Sequence, residues 1–142
     1  MTEKNVPLLL ATMALIKMFP EKHDQGTWVN PCATTMCFAG HAASISGASF
    51  DPVVFRLEEE WILNDQGNHV SEREAHTDDW ERKEGYKFVS EFAKDKLGLT
   101  QHEADYLFHH GRTREQLEDA VYKFADGYTV NYYGEFTKTK EN

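Results

Sequence analysis

The stretch LGLTQHEADYLFHHGRTREQLEDAVYKFA, Leu97 to Ala125, holds one helix end and two helix starts, and its reading decides the fold class. Leu97 closes an apolar stripe of Phe88, Val89, Phe92 and Ala93. Gly98 follows as a left-handed C-cap, with Leu99 as the hydrophobic contact that accompanies such caps. Thr100 with Glu103, and Thr113 with Gln116, each form a capping box that satisfies the first free amides of a new helix. Between Leu117 and Ala125 the apolar residues Leu117, Ala120, Val121, Phe124 and Ala125 recur at i, i+3, i+4, i+7 and i+8, one face of an amphipathic helix. Three consecutive helices joined by turns of a few residues predict a helical bundle.

Working outward, Asn5 caps a first helix that tolerates Pro7 in its first turn and runs along Leu8, Leu9, Thr12, Leu15, Ile16 and Phe19 to Pro20. A second helix is expected from about Thr34 to Ser46, stopped by Gly47. Its Ala39, Gly40, Ala42, Ala43 and Ser44 put small side chains on several faces, which suits a central helix approached closely by its neighbours. Val53 to Leu63 is rich in β-branched, aromatic and aliphatic residues, and Asn64 to Asn68 is turn chemistry, so one short hairpin is expected between Trp61 and Val70. Ser71 with Glu74, and Thr77 ahead of Asp78 and Asp79, read as further helix starts. Tyr128, Val130 and Tyr132 alternate as a strand would. The expectation is a mainly α, small α+β, single domain over residues 1–136, with four to six helices and one hairpin. Residues 137–142 should form a frayed tail.

The 142-residue length suits one domain, and a hydrophobic share of 40% with 27% charged residues marks a globular chain. Twenty-four acids against fifteen bases give a net charge of −9, which opposes nonspecific attraction to nucleic acid or anionic lipid. Residues 58–84 contain ten acids and three bases, so seven of the nine excess negative charges fall there. Glu58, Glu59, Glu60, Asp78 and Asp79 surround Trp61 and Trp80. Steering charge beside aromatic anchors makes these seven residues the candidate partner-binding set, for a host protein with a basic surface. A solvated acidic face is the plain alternative, and a DNA mimic that occupies an enzyme's basic groove is the sharper one.

Cys32, Cys37 and His41 form C-x4-C-x3-H, with His23 as the nearest fourth ligand for zinc. The spacing matches none of the common zinc modules, so the expectation is two reduced, packed thiols and neither metal nor cofactor. Cys37 as nucleophile with His41 as base would need an open cleft, whereas Phe38, Ala39 and Ala42 point to burial. Phosphate loops, nucleophile elbows and H-E-x-x-H are lacking, so no catalytic residue is expected. A helix-turn-helix reading of Phe88 to His110 fails because Gln101 to His110 contains no Lys or Arg for phosphates. His109 and His110 suit the negative end of a helix dipole. With two cysteines and no basic leader, a reducing cytoplasm is expected; Val6 to Phe19, interrupted by Lys17, is too short to span a bilayer.

Trp28, the block Cys32-Ala33-Thr34-Thr35-Met36-Cys37-Phe38-Ala39-Gly40-His41-Ala42 and the later Leu97-Gly98-Leu99-Thr100, Glu103-Ala104 and Leu107-Phe108 resemble a family of small uncharacterised proteins of actinobacteria and their phages. The shared elements are a Trp, then C-x-T-x-x-C-x-A-G-x-A, then L-G-L-T-x-x-E-A-x-x-L-F, together about a third of the chain. Trp28, Cys32, Thr34, Cys37 and Gly40 are the motif residues. In this family glycine is frequent where Ala33 stands and an aromatic residue where His41 stands, which counts against His41 as an essential ligand. The resemblance implies a phage-encoded accessory protein in a bacterial cytoplasm that acts on a host protein as adaptor or inhibitor, not as an enzyme.

Overall fold

The computed structural model describes residues 3–25, 36–48, 62–64, 66–70 and 72–138. In chain order these residues form α1 (Val6–Met18), a 3-10 turn (Pro20–Lys22), α2 (Phe38–Ile45), β1 (Ile62–Leu63), β2 (His69–Val70), α3 (Glu72–Ala75), β3 (Lys87–Phe88), α4 (Val89–Leu97), α5 (Gln101–Phe108), α6 (Arg114–Ala125), β4 (Tyr128–Val130) and β5 (Phe136–Lys138). The protein is mainly α with a small β component.

The helix end at Gly98 and the helix starts at Thr100 and Thr113 have their expected devices, whereas α5 ends at Phe108, three residues before Gly111. Gly98 is left-handed at φ 69°, and the Leu99 amide donates to the Lys94 carbonyl. The Thr100 and Thr113 hydroxyls accept from the Glu103 and Gln116 amides, and those two side chains accept from the threonine amides in return. Asn5 caps α1 by accepting from the Leu8 amide at 3.1 Å. The same residue closes the far end of α4: its amide donates to the Leu97 carbonyl and its side-chain nitrogen to that of Lys96. One asparagine thus satisfies orphan groups at the start of one helix and the end of another.

An isolated eight-residue helix does not form in water, so α2 exists because of what it buries. Phe38, Ala39, Gly40, His41, Ala42 and Ala43 are all buried, and α2 packs chiefly on α4 and α1, with α6 on the other flank of α1. Phe38 has no exposure, and burying such a ring contributes about 1.5–3 kcal/mol. Leu9, Ile16, Leu97, Leu107, Leu117 and Phe124 complete the central core.

Several boundaries differ from expectation. Helix two begins at Phe38 rather than near Thr34, because Met36 is engaged in a parallel bridge with His23 and Cys37 stands extended as the N-cap. The hairpin is present, with Ile62 opposite Val70, but a third strand joins it in the order β2-β1-β3. A second hairpin, β4 with β5, turns through Asn131 to Gly134, so Tyr132 lies in a turn and not in a strand. Tyr128 pairs with Lys138, so β5 includes residues 137 and 138. The start near Ser71 and Glu74 yields the single turn α3, whereas Thr77 opens no helix. With Asp78, Asp79, Glu81, Arg82, Lys83 and Glu84 after it, no apolar stripe exists to bury.

Candidate functional site

Thr77 instead begins a tight hairpin. Ala75 is fully buried and its carbonyl accepts from the Lys83 amide at 2.7 Å, while His76 and Arg82 pair as an antiparallel bridge. The Arg82 guanidinium grips both carboxylate oxygens of Glu91 on α4, at 2.6 and 3.2 Å, and lies over the Phe88 ring. The base of the hairpin is therefore fastened to the domain.

At its tip the Thr77 carbonyl accepts from the Trp80 amide, and the Thr77 amide and hydroxyl both bond the backbone of Glu81. This chain path requires a left-handed residue at its fourth position, where glycine or asparagine is the usual occupant. Trp80 occupies it, at φ 62°. Its indole is 59% exposed and stacks on the His76 ring, with centroids 4.6 Å apart and planes 7° from parallel. Asp78, Asp79 and Glu81 are exposed around it. A left-handed L-residue costs about 1–2 kcal/mol, and an outward indole returns little burial to offset that cost.

Of the seven residues predicted to meet a partner, Asp78, Asp79 and Trp80 thus share one exposed tip. Glu58, Glu59, Glu60 and Trp61 lie outside the described residues. Sequence reading missed His76 as the stacking partner; its position four residues before Trp80 was the available signal.

Of the residues weighed for zinc, His23 and His41 are held by hydrogen bonds. His41 is buried, and its Nε2 donates to the Lys22 carbonyl at 2.8 Å. His23 Nε2 lies 2.8 Å from Gln25 Oε1. The Gln25 amide nitrogen donates to the Leu107 and His109 carbonyls, so its oxygen is the acceptor, shared between the Phe38 amide and His23. This assigns the His23 proton to Nε2. Gln25 therefore links the segment before α2 to the end of α5, a clamp that nothing in the sequence pattern announced. Burial lowers the pKa of both histidines from the usual 6.5, opposed by the Gln25 bond at His23 and the Lys22 carbonyl at His41. Their rings are 6.4 Å apart. Cys37 is 1% exposed at the start of α2. Gly40 is buried on the same helix. Among the described residues no group of three or more His, Cys, Asp or Glu is placed to hold a metal; Trp28, Cys32 and Thr34 lie outside them.

No helix of the described residues is long and apolar enough to cross a membrane. No protein-family model, curated protein or solved structure matches the chain.

Proposed function

We propose that this is a non-enzymatic binding protein, an adaptor or inhibitor acting in a bacterial cytoplasm, that engages a basic surface of a host protein through the Thr77–Glu81 tip. The observation that carries this reading is Trp80, a large aromatic side chain kept exposed in a left-handed conformation that glycine would adopt without cost. Backbone strain of this kind concentrates where a side chain has to be presented. Asp78, Asp79 and Glu81 supply the charge that speeds encounter with a cationic patch, and the indole supplies the anchor.

Affinity capture from a host lysate with the wild type and with Trp80→Gly tests it. Glycine preserves the turn while removing the anchor. The reading expects one protein that does not bind nucleic acid, retained by the wild type, lost with Trp80→Gly and weakened by salt. Retention unchanged by the substitution overturns it. Capture of a polymerase, nuclease or gyrase through its DNA groove would replace it with DNA mimicry.

A further inference from the structure

Arg112 sits just past the end of α5 with its guanidinium plane laid 3.6 Å over the Tyr106 ring, and its Nε donates to the Tyr106 carbonyl at 2.9 Å. Those two contacts hold the side chain against the end of α5. No carboxylate among the described residues pairs with them, although the chain carries 24 acids. A half-buried guanidinium held over Tyr106, and paired with no carboxylate among the described residues, can donate to an oxyanion.

The side chain lines a cavity of about 390 Å³ between α5 and the β4–β5 turn. Tyr132 and Tyr133 project from that turn, 79% and 81% exposed, with rings set edge to face at 88°. Asn131 holds the turn by accepting from the Tyr133 and Glu135 amides, so the rings stand on a braced support. Asp105 and His109 line the same cavity. His109 Nδ1 accepts from the Gly111 amide, which makes Nε2 its protonated nitrogen and a second donor.

We infer that this cleft binds a nucleoside monophosphate: the tyrosines take the base, Arg112 with His109 takes the phosphate, and Asp105 accepts from the ribose hydroxyls. A bare phosphate would leave the aromatic wall unused and meet the Asp105 charge unshielded. An aryl phosphate without a sugar would leave Asp105 without a donor. The cavity falls within the size range of small-ligand sites, and base stacking on aromatic side chains tolerates any base. The cleft shares no residue with the Trp80 hairpin, and neither reading depends on the other.

Titration of the full chain, followed by amide NMR shifts, with adenosine monophosphate and its guanosine, cytidine and uridine counterparts tests the inference. At least one should saturate, with shifts centred on residues 102–112 and 131–134. Tyr132→Ala/Tyr133→Ala, at two largely exposed positions, and Arg112→Gln should each weaken binding about tenfold or more, with the melting temperature of each variant measured alongside. Asp105→Asn should weaken the ribonucleotide more than its deoxy counterpart. Absence of saturation with all four nucleotides, or binding indifferent to the tyrosine pair, overturns the inference. Inorganic phosphate or phosphotyrosine binding as tightly as the nucleotide overturns it as well.

Discussion

The ammonium of Lys4 lies 2.7 Å from Oε2 of Glu103, a carboxylate whose side chain has no exposure to solvent. The other oxygen of Glu103 accepts from the Thr100 amide, and Oε2 also accepts from the Thr129 hydroxyl. A capping-box residue, ordinarily a local device at a helix start, here joins three parts of the chain: the N-terminal segment, α5 and β4.

Removing Lys4 leaves the fully buried Glu103 carboxylate without its cation. Lys4→Met should lower the free energy of unfolding by about 3–5 kcal/mol. Glu103→Ala should lower it too, and the double variant should lose less than the sum of the two. Urea unfolding of the four proteins measures the coupling; strict additivity would mean that the pair contributes nothing as a pair.

Gly98 is doubly constrained. A Cβ there would sit 2.1 Å from the Glu3 carbonyl oxygen, and the backbone is left-handed. Gly47 is left-handed as well, at φ 102°, but a Cβ there would meet nothing within 4 Å. Gly47→Ala should therefore cost only backbone strain, about 1 kcal/mol, and Gly98→Ala clearly more. Equal melting temperatures for the two variants would show that the Glu3 segment moves aside freely.

Gly40→Leu should destabilise by about 1–3 kcal/mol or more, because Gly40 is buried on the helix that packs against both α1 and α4. An unchanged melting temperature would place this face of α2 outside the core.

Both inner histidines have pKa values pushed below the usual 6.5, so the unfolded chain takes up protons that the folded chain refuses. Their contribution to stability is whole above that value and is lost as pH falls through the lowered folded values. The melting temperature should begin to drop as pH falls below about 7.5, above the range where ordinary carboxylates titrate. His23→Gln/His41→Gln keeps an amide donor at each position and should flatten that drop. An equally steep profile in the variant would assign the loss to other groups.

Trp80→Gly should leave the melting temperature unchanged or raise it, since relief of about 1–2 kcal/mol of backbone strain opposes the loss of one stack on His76. A marked fall would make the indole a structural residue and remove the argument for its presentation.

Devices written in a few adjacent residues were legible without coordinates. The boxes at Thr100 and Thr113, the Asn5 cap and the Gly98 end all depend on neighbours three or four positions apart. Non-local features were not legible. The strand Lys87–Phe88 is two residues long, too short for alternation to register, and is paired only because Ile62 and Leu63 lie beside it. Gln25 draws its partners from Phe38, Leu107 and His109. Within the candidate site the acidic, Trp-bearing composition around Asp78 and Asp79 was visible, but the hairpin was not, because a tryptophan occupies the position where glycine would have announced the turn.

The ties of Asn5 to Leu97 and of Lys4 to Glu103 also set an order of events at the ribosome. At synthesis rates of about 5–20 residues per second, α1 is made about 5–20 s before the residues that anchor its first turn. Through that interval Leu8, Leu9, Met13 and Ile16, all buried in the finished protein, have neither α4 nor α6 to cover them. α1 is thus made before the elements that lock it, and in the interval its apolar face is open to a chaperone.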